Sequence, residues 1–179
     1  MSSLIICRGG AAGLPTQRRT GTFTGLVFGD PVLAGADGII INDIYFAPGA
    51  RTYWHSHERG QILVVLSGSG LICQHGGQVQ ALSAGDLVWS PPGVTHWHGA
   101  APGTSMLHRA ISLGTTTWAA DVSEDEYVAL VAAQAAQAAE AAEAAEAAQA
   151  AQAAQAADVA DVADVAKVAE VAEELHGGT

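Results

Sequence analysis

Positive charge is scarce in this chain of 179 residues, where six arginines and one lysine stand against eighteen carboxylates. The seven cations are scattered, so there is no basic footprint for nucleic acid and no polybasic patch for an anionic membrane. Cysteine is sparse too. Cys7 and Cys73 are too few for a disulfide framework. They fit a reducing compartment, where a buried thiol behaves as a small apolar side chain. No apolar run reaches the roughly 18 residues that a membrane-spanning helix needs. At the N-terminus, Leu4-Ile5-Ile6-Cys7 is cut off by Arg8 and falls short of the about 7–15 apolar residues of a secretory signal. These absences predict a soluble, cytoplasmic protein with neither a nucleic-acid nor a membrane partner.

The negative charge is unevenly placed. Residues 1–123 hold all six arginines and six acids, and so are balanced. Residues 124–179 hold twelve acids and Lys167, and therefore the whole net charge of −11. The low pI describes a tail rather than a globule.

Three regions follow. Residues 1–20 mix Gly, Ala and the arginines Arg8, Arg18 and Arg19 with little periodicity, and read as an N-terminal arm. Residues 21–122 are short apolar runs between Gly/Pro turns and read as all-β. The expected strands are 23–28, 39–46, 52–57, 61–67, 70–74, 78–82, 86–90, 96–99 and 105–112, with Gly76-Gly77 as a tight hairpin turn. Such a region suffices for one small barrel with a filled or ligand-holding interior.

Residues 123–179 are an Ala-rich repeat with a polar residue at every third position from Gln134 to Glu173. Ala, Gln and Glu are good helix formers, so a helix of about 75 Å is expected. Ser123 with Glu126 forms a capping-box signature, and Gly177 is a plausible stop. A three-residue step turns the helix by about 300°, so the polar stripe winds and leaves no fixed apolar face. Asp158, Asp161, Asp164 and Lys167 then read as solvated helix polarity, and His176 as idle.

Two segments carry chemistry. The first, GARTYWHSHERGQILVVLSG, reads G-x5-H-x-H-x3-Q-x6-G over residues 49–68. His55 and His57 lie two apart on an expected strand, so both imidazoles project from one face, with Tyr53. The turn at Glu58-Arg59-Gly60 can bring Gln61 back beside the pair. The second, GDLVWSPPGVTHWHGA, reads G-x5-P-x-G-x2-H over residues 85–100 and places His96 and His98 on one face. His108 falls in phase with Met106 and Ala110 on a further strand. One His-x-His pair is weak evidence, but two Gly/Pro-framed histidine segments in an all-β setting point to a divalent metal, for which neutral imidazole is the commonest donor. His75, in the Gly76-Gly77 turn, is expected to face solvent.

These two segments resemble the two sequence boxes of the cupin superfamily, over roughly residues 21–120. The resemblance implies an all-β double-stranded β-helix (jelly-roll) barrel, here with a long C-terminal helical extension. It implies a metal site of His55, His57, Gln61 and His96. Gln61 departs from the Glu of most cupins, and Ala100 stands where many have Asn. A neutral amide leaves the full charge on the metal, so a bound ligand is more easily polarised. The stretches PGARTYWHSH, GQILVV and GDLVWSPPGVTHWHGAAPGTSMLHRAIS, with Trp118 and Glu124-Asp125-Glu126-Tyr127, are similar to the bacterial manganese-dependent cupin hydroxynitrile lyases and to small cupins linked to carboxymuconolactone decarboxylase-like proteins.

That likeness implies cleavage or formation of a cyanohydrin, with the metal as Lewis acid. Mn2+ is the first expectation, with Fe2+, Zn2+ and Ni2+ as alternatives. His108, then His98, is the expected base that accepts the hydroxyl proton. Thr52, Tyr53 and Thr95 are candidate pocket hydroxyls. Trp54 and Trp97 should face away from the metal, against a second sheet or a partner subunit. Trp89 reads as core, and Arg51 and Arg59 as surface residues. The competing readings are a dioxygenase using Fe or Mn and O2, or a non-enzymatic small-molecule-binding module. The resemblance also implies a homodimer or homotetramer acting on a small-molecule substrate.

Overall fold

The computed structural model describes residues 4–7 and 16–176. Arg8 and Gly177 lie outside the described residues, as do the side chains of Asp158, Asp161, Asp164, Lys167 and His176.

Twelve strands precede one helix: β1 (Gln17–Arg19), β2 (Phe23–Thr24), β3 (Val27–Ala36), β4 (Ile39–Phe46), β5 (Arg51–Thr52), β6 (His55–His57), β7 (Gln61–Gln74), β8 (Val79–Ser83), β9 (Leu87–Ser90), β10 (His96–Ala100), β11 (Met106–Leu113), β12 (Thr116–Trp118) and α1 (Glu124–His176). The main path of pairing runs β1-β3-β4-β11-β7-β10-β5-β2; β8 and β9 pair with β7, and β6 joins β10 to β12. The result is a nearly closed antiparallel barrel of the cupin type, as expected.

The expected break at Gly68 is instead a bend, because β7 runs unbroken through it. Gly68 has φ +76°, a conformation a side chain would resist, and the register with β11 slips between Leu107 and His108. Before the bend β7 pairs with β11 and β9; after it, with β10 and β8. One strand thereby serves both walls of the barrel.

Residues 17–19 are not arm but an edge strand, each paired with β3. Three residues are too few to show a period, so sequence pattern could not reveal them. β3 also runs further than expected. Gly29, Pro31 and Gly35 interrupt its apolar alternation, but Asp37 and Gly38, at φ 52° and 76°, close a tight hairpin onto β4.

The core has two parts. Val27, Ile44, Phe46, Leu63, Val65 and Met106 fill the barrel floor with their neighbours. Outside the β5–β10 wall, Trp54, Leu71, Cys73 and Trp97 pack on Val122 and Tyr127 at the start of α1. Trp54 and Trp97 therefore do face away from the inward histidines, but meet the chain's own helix rather than another sheet or subunit; the Trp97 and Tyr127 rings lie 5.7 Å apart, edge to face.

Arg51 is a further correction. It is only 3% exposed, donates to the Val122 carbonyl at 2.9 and 3.2 Å, pairs with Glu124 and lies 4.2 Å over the Tyr127 ring. An expected surface cation thus ties the helix start to the barrel. Trp89, expected in the core, is 49% exposed on β9, a strand that among the described residues pairs with β7 alone.

The chain divides into two compact units, Met1–Gln134 and Ala135–Thr179. In the first, the Ser123 hydroxyl accepts the Glu126 amide at 3.2 Å and caps α1, and three acids occupy its first turn. In the second, every described side chain from 135 to 156 is exposed, as a winding polar stripe requires. No helix among the described residues is long and apolar enough to cross a membrane.

Candidate metal centre and its cavity

Alternation along β6 and β10 aims four imidazoles inward. His55 and His57 flank Ser56 on β6, and His96 and His98 flank Trp97 on β10; all four rings are at most 3% exposed. The pairing of His96 with His55 sets the two strands so that these rings lie 4.4 Å apart. The rings of His57 and His98 lie 5.1 and 5.2 Å from that of His55. Ligand atoms of His55, His96 and His98 come within 4.8 Å of one another, so these three could hold a metal ion.

Three of the four rings are fixed from behind. His55 Nδ1 donates to the Tyr53 carbonyl at 2.9 Å and His96 Nδ1 to the Val94 carbonyl at 3.0 Å. A carbonyl only accepts, so the proton sits on Nδ1 and the lone pair on Nε2. His57 Nδ1 meets the Thr116 hydroxyl at 3.1 Å. The Nε2 atoms of His55 and His57 are buried without a partner. His96 Nε2 faces Gln61 Oε1 at 3.1 Å, while the Gln61 amide nitrogen donates to Ser112 Oγ. With neutral His96, two acceptors oppose each other across that gap, an arrangement that a cation relieves. Buried lone pairs of this kind, with the far nitrogen tied, are how histidines are presented to a metal. The donor set fits a divalent ion.

His98 and His108 differ. Both nitrogens of each ring are buried without a partner. Their rings lie 4.8 Å apart, and Phe46 stacks on His108 at 5.3 Å. Removal from water disfavours every imidazolium here. Burial, aided by His96 nearby, lowers His55 to about 3 and His57 to about 4. Burial also lowers His96 and takes His98 well below the ordinary value. His108 falls to about 4, because burial outweighs the Asp43 carboxylate that pulls the other way. At neutral pH all five are uncharged bases.

His55, His57, Gln61, His98 and His108 open on a cavity of about 340 Å³. Thr52 lines it, its hydroxyl accepting the His98 amide at 3.1 Å. Tyr53 and Thr95 do not line it. Both sit in turns just before their histidine strands and contribute backbone carbonyls instead, Tyr53 to His55 and Thr95 to the His75 amide. Phe23 and Trp118 form an aromatic wall, with ring centroids 5.8 Å apart.

Arg19, Asn42, Ser112 and Thr116 also line the cavity, and sequence reasoning missed them. Ser112 was within reach, since it continues the alternation of Met106, His108 and Ala110. The other three depend on pairings between distant strands.

A barrel of this topology, with histidines inside on two paired strands, is a cupin. The cupin domain model matches residues 42–109. The chain is 41% identical over 111 residues to the (R)-mandelonitrile lyase of Granulicella tundricola, covering 59% of this chain and 85% of that protein. It is 39% identical to a cupin-like protein of Thermotoga maritima whose crystal structure matches at a TM-score of 0.61, covering 63% of this chain and 91% of that one. The polyketide cyclase RemF of Streptomyces resistomycificus, at 20% identity and a TM-score of 0.55, covers 69% of this chain and 91% of its own and shares the fold. The chain belongs to the cupin family.

Proposed function

We propose that this cupin is a metal-dependent lyase that cleaves cyanohydrins of small aldehydes and, in reverse, forms them. The observation that carries the reading is the wholly uncharged donor set of His55, His57, Gln61 and His96 in a chain 41% identical to (R)-mandelonitrile lyase. A divalent metal held there, Mn2+ before Fe2+, Zn2+ or Ni2+, supplies a Lewis acid whose charge no carboxylate ligand offsets. His57 and Gln61 are preferred to His98 as donors because their far atoms are held by Thr116 and Ser112, whereas no hydrogen bond holds the His98 ring.

The protein's own groups do the rest. The Phe23–Trp118 wall takes the aryl or alkyl group of the substrate. His108, with His98 beside it, takes the hydroxyl proton. The bond from the carbinol carbon to the nitrile carbon breaks, its electron pair leaves with cyanide, and the carbon–oxygen double bond forms. The proton then passes from imidazole to cyanide, so the products are an aldehyde and HCN. Burial keeps that imidazole in the neutral form, the one able to accept a proton, at neutral pH.

The test is elemental analysis of protein purified without added metal, with mandelonitrile cleavage and oxygen uptake measured on the same sample. About one metal per chain and benzaldehyde release without oxygen uptake are expected. Oxygen consumption without cyanide release would transfer the site to the dioxygenase reading. Saturable ligand binding without turnover would make it a binding module.

A further inference from the structure

We propose that the cavity is built for a small carboxylate with a flat apolar body, its anionic end on Arg19 and its body against Phe23 and Trp118. This goes beyond the cyanohydrin reading and rests on the cavity alone.

Arg19 ends β1, and its pairing with Val27 puts its side chain on the same face as Gly29 and Ile44. A Cβ at Gly29 would collide with the guanidinium, meeting Nη2 at 2.9 Å, so glycine there makes the room in which Arg19 lies. Nη2 donates to Asn42 Oδ1 at 3.2 Å, which anchors one side of the fork. Nε is buried and has no partner. A guanidinium offers five N–H donors and cannot shed its charge, and Asn42 takes only one of them, so donors remain for an acceptor in the cavity.

The surroundings supply no counter-charge. Arg19 is the one charged side chain lining the cavity among the described residues, and no Asp or Glu lines it. Asp43, next to Asn42 on β4, is committed elsewhere: it holds Arg109 in a bidentate pair at 2.7 and 2.8 Å. Asp30 lies opposite Asp43 in register, one residue along β3 from Gly29, and so on the alternate face. A metal at the histidines would add further positive charge. A cavity with that balance draws an anion, and a planar guanidinium matches a carboxylate geometrically.

Calorimetry with sodium benzoate and with benzamide, its neutral isostere, tests this on metal-free and metal-loaded protein. In the metal-free form no cation other than Arg19 lines the cavity among the described residues. Benzoate is expected to bind at least about tenfold more tightly than benzamide there. Arg19→Gln should abolish the preference and Arg19→Lys should keep part of it. Asn42→Asp, which places a carboxylate on the guanidinium, should abolish it with the fold intact, and it decides the matter if Arg19→Gln does not fold. Equal binding of the two ligands by the unaltered protein, or an undiminished preference in Arg19→Gln or Asn42→Asp, would overturn the proposal. Mandelonitrile is neutral, so failure of the lyase assay leaves this result untouched, and the reverse holds too.

Discussion

His55, His57 and His96 are held from behind by hydrogen bonds, whereas His98 and His108, beside them, are held by packing alone. The first three each have Nδ1 bonded to an oxygen, of Tyr53, Thr116 or Val94, which fixes the direction of Nε2. The other two have both nitrogens free and lean on Phe46 and on each other. A ring with one tautomer and one orientation suits a metal ligand. A ring with both nitrogens open suits proton traffic, because it can take a proton without first breaking a bond. One residue type in one cluster thus serves two purposes, divided by what stands behind each ring.

The hardest blow to that division is removal of a tied ring. His55→Ala or His57→Ala should empty the site of metal in an elemental analysis. Cleavage of mandelonitrile should fall by more than the about 10–100-fold that loss of an outer partner costs. If either variant keeps stoichiometric metal, the tied set does not hold it. Next comes His108→Ala, which should keep its metal while kcat falls about 10²–10⁴-fold. A full rate would end the assignment of His108 as base, and His98→Ala would then have to show that loss.

Thr116→Val sharpens the contrast within the tied set. His57 alone relies on a side chain, so this substitution should weaken metal binding about 10–100-fold in a competitive chelator titration, without touching the backbone ties of His55 and His96. Gln61→Glu tests the charge argument: metal should bind more tightly and turnover should fall by about tenfold, equivalent to about 1.4 kcal/mol in the barrier. Tighter metal with an unchanged rate would show that the neutral amide is not what matters.

The smallest effect is on stability against pH in metal-free protein. His55, lowered to about 3, and His57 and His108, each lowered to about 4, are neutral when folded but titrate near the ordinary 6.5 when unfolded. Between those values the unfolded chain binds protons that the folded chain refuses. Their contribution is therefore full above about pH 6.5 and is lost as pH falls toward 4 for His57 and His108 and toward 3 for His55. The thermal midpoint should drop across that window, and less steeply in His108→Gln. Equal slopes in the two proteins would mean that His108 is not held neutral by its surroundings.

How far the sequence was legible depends on distance along the chain. Alternation put His55 with His57 and His96 with His98 on common faces, and the same rule turned Trp54 and Trp97 outward. Gly76-Gly77 and the Ser123 cap were equally local and equally readable. Arg51 was misread because the flanks of a motif look exposed until something covers them; here Val122, Glu124 and Tyr127 do. Trp89 was misread for the opposite reason, since size and apolarity suggest a core while an edge strand leaves the ring bare. Gly68 looked like a stop because glycine commonly ends strands, yet the same freedom at positive φ lets a strand turn from one wall to the other.

The amino-acid order alone determined which donors exist, how they are spaced on their strands, and that an alanine repeat with period three forms a helix without an apolar face. These follow from the two-residue period of a strand and from helix propensity, both properties of neighbouring residues. The tertiary structure decided which oxygen stands behind each imidazole and where a guanidinium finds room. Thr116 reaches His57 across 59 residues, Ser112 reaches Gln61 across 51, and Arg19 meets Asn42 across 23. Those meetings depend on strand register around the barrel, and register is set by closure of the whole sheet rather than by any local pattern.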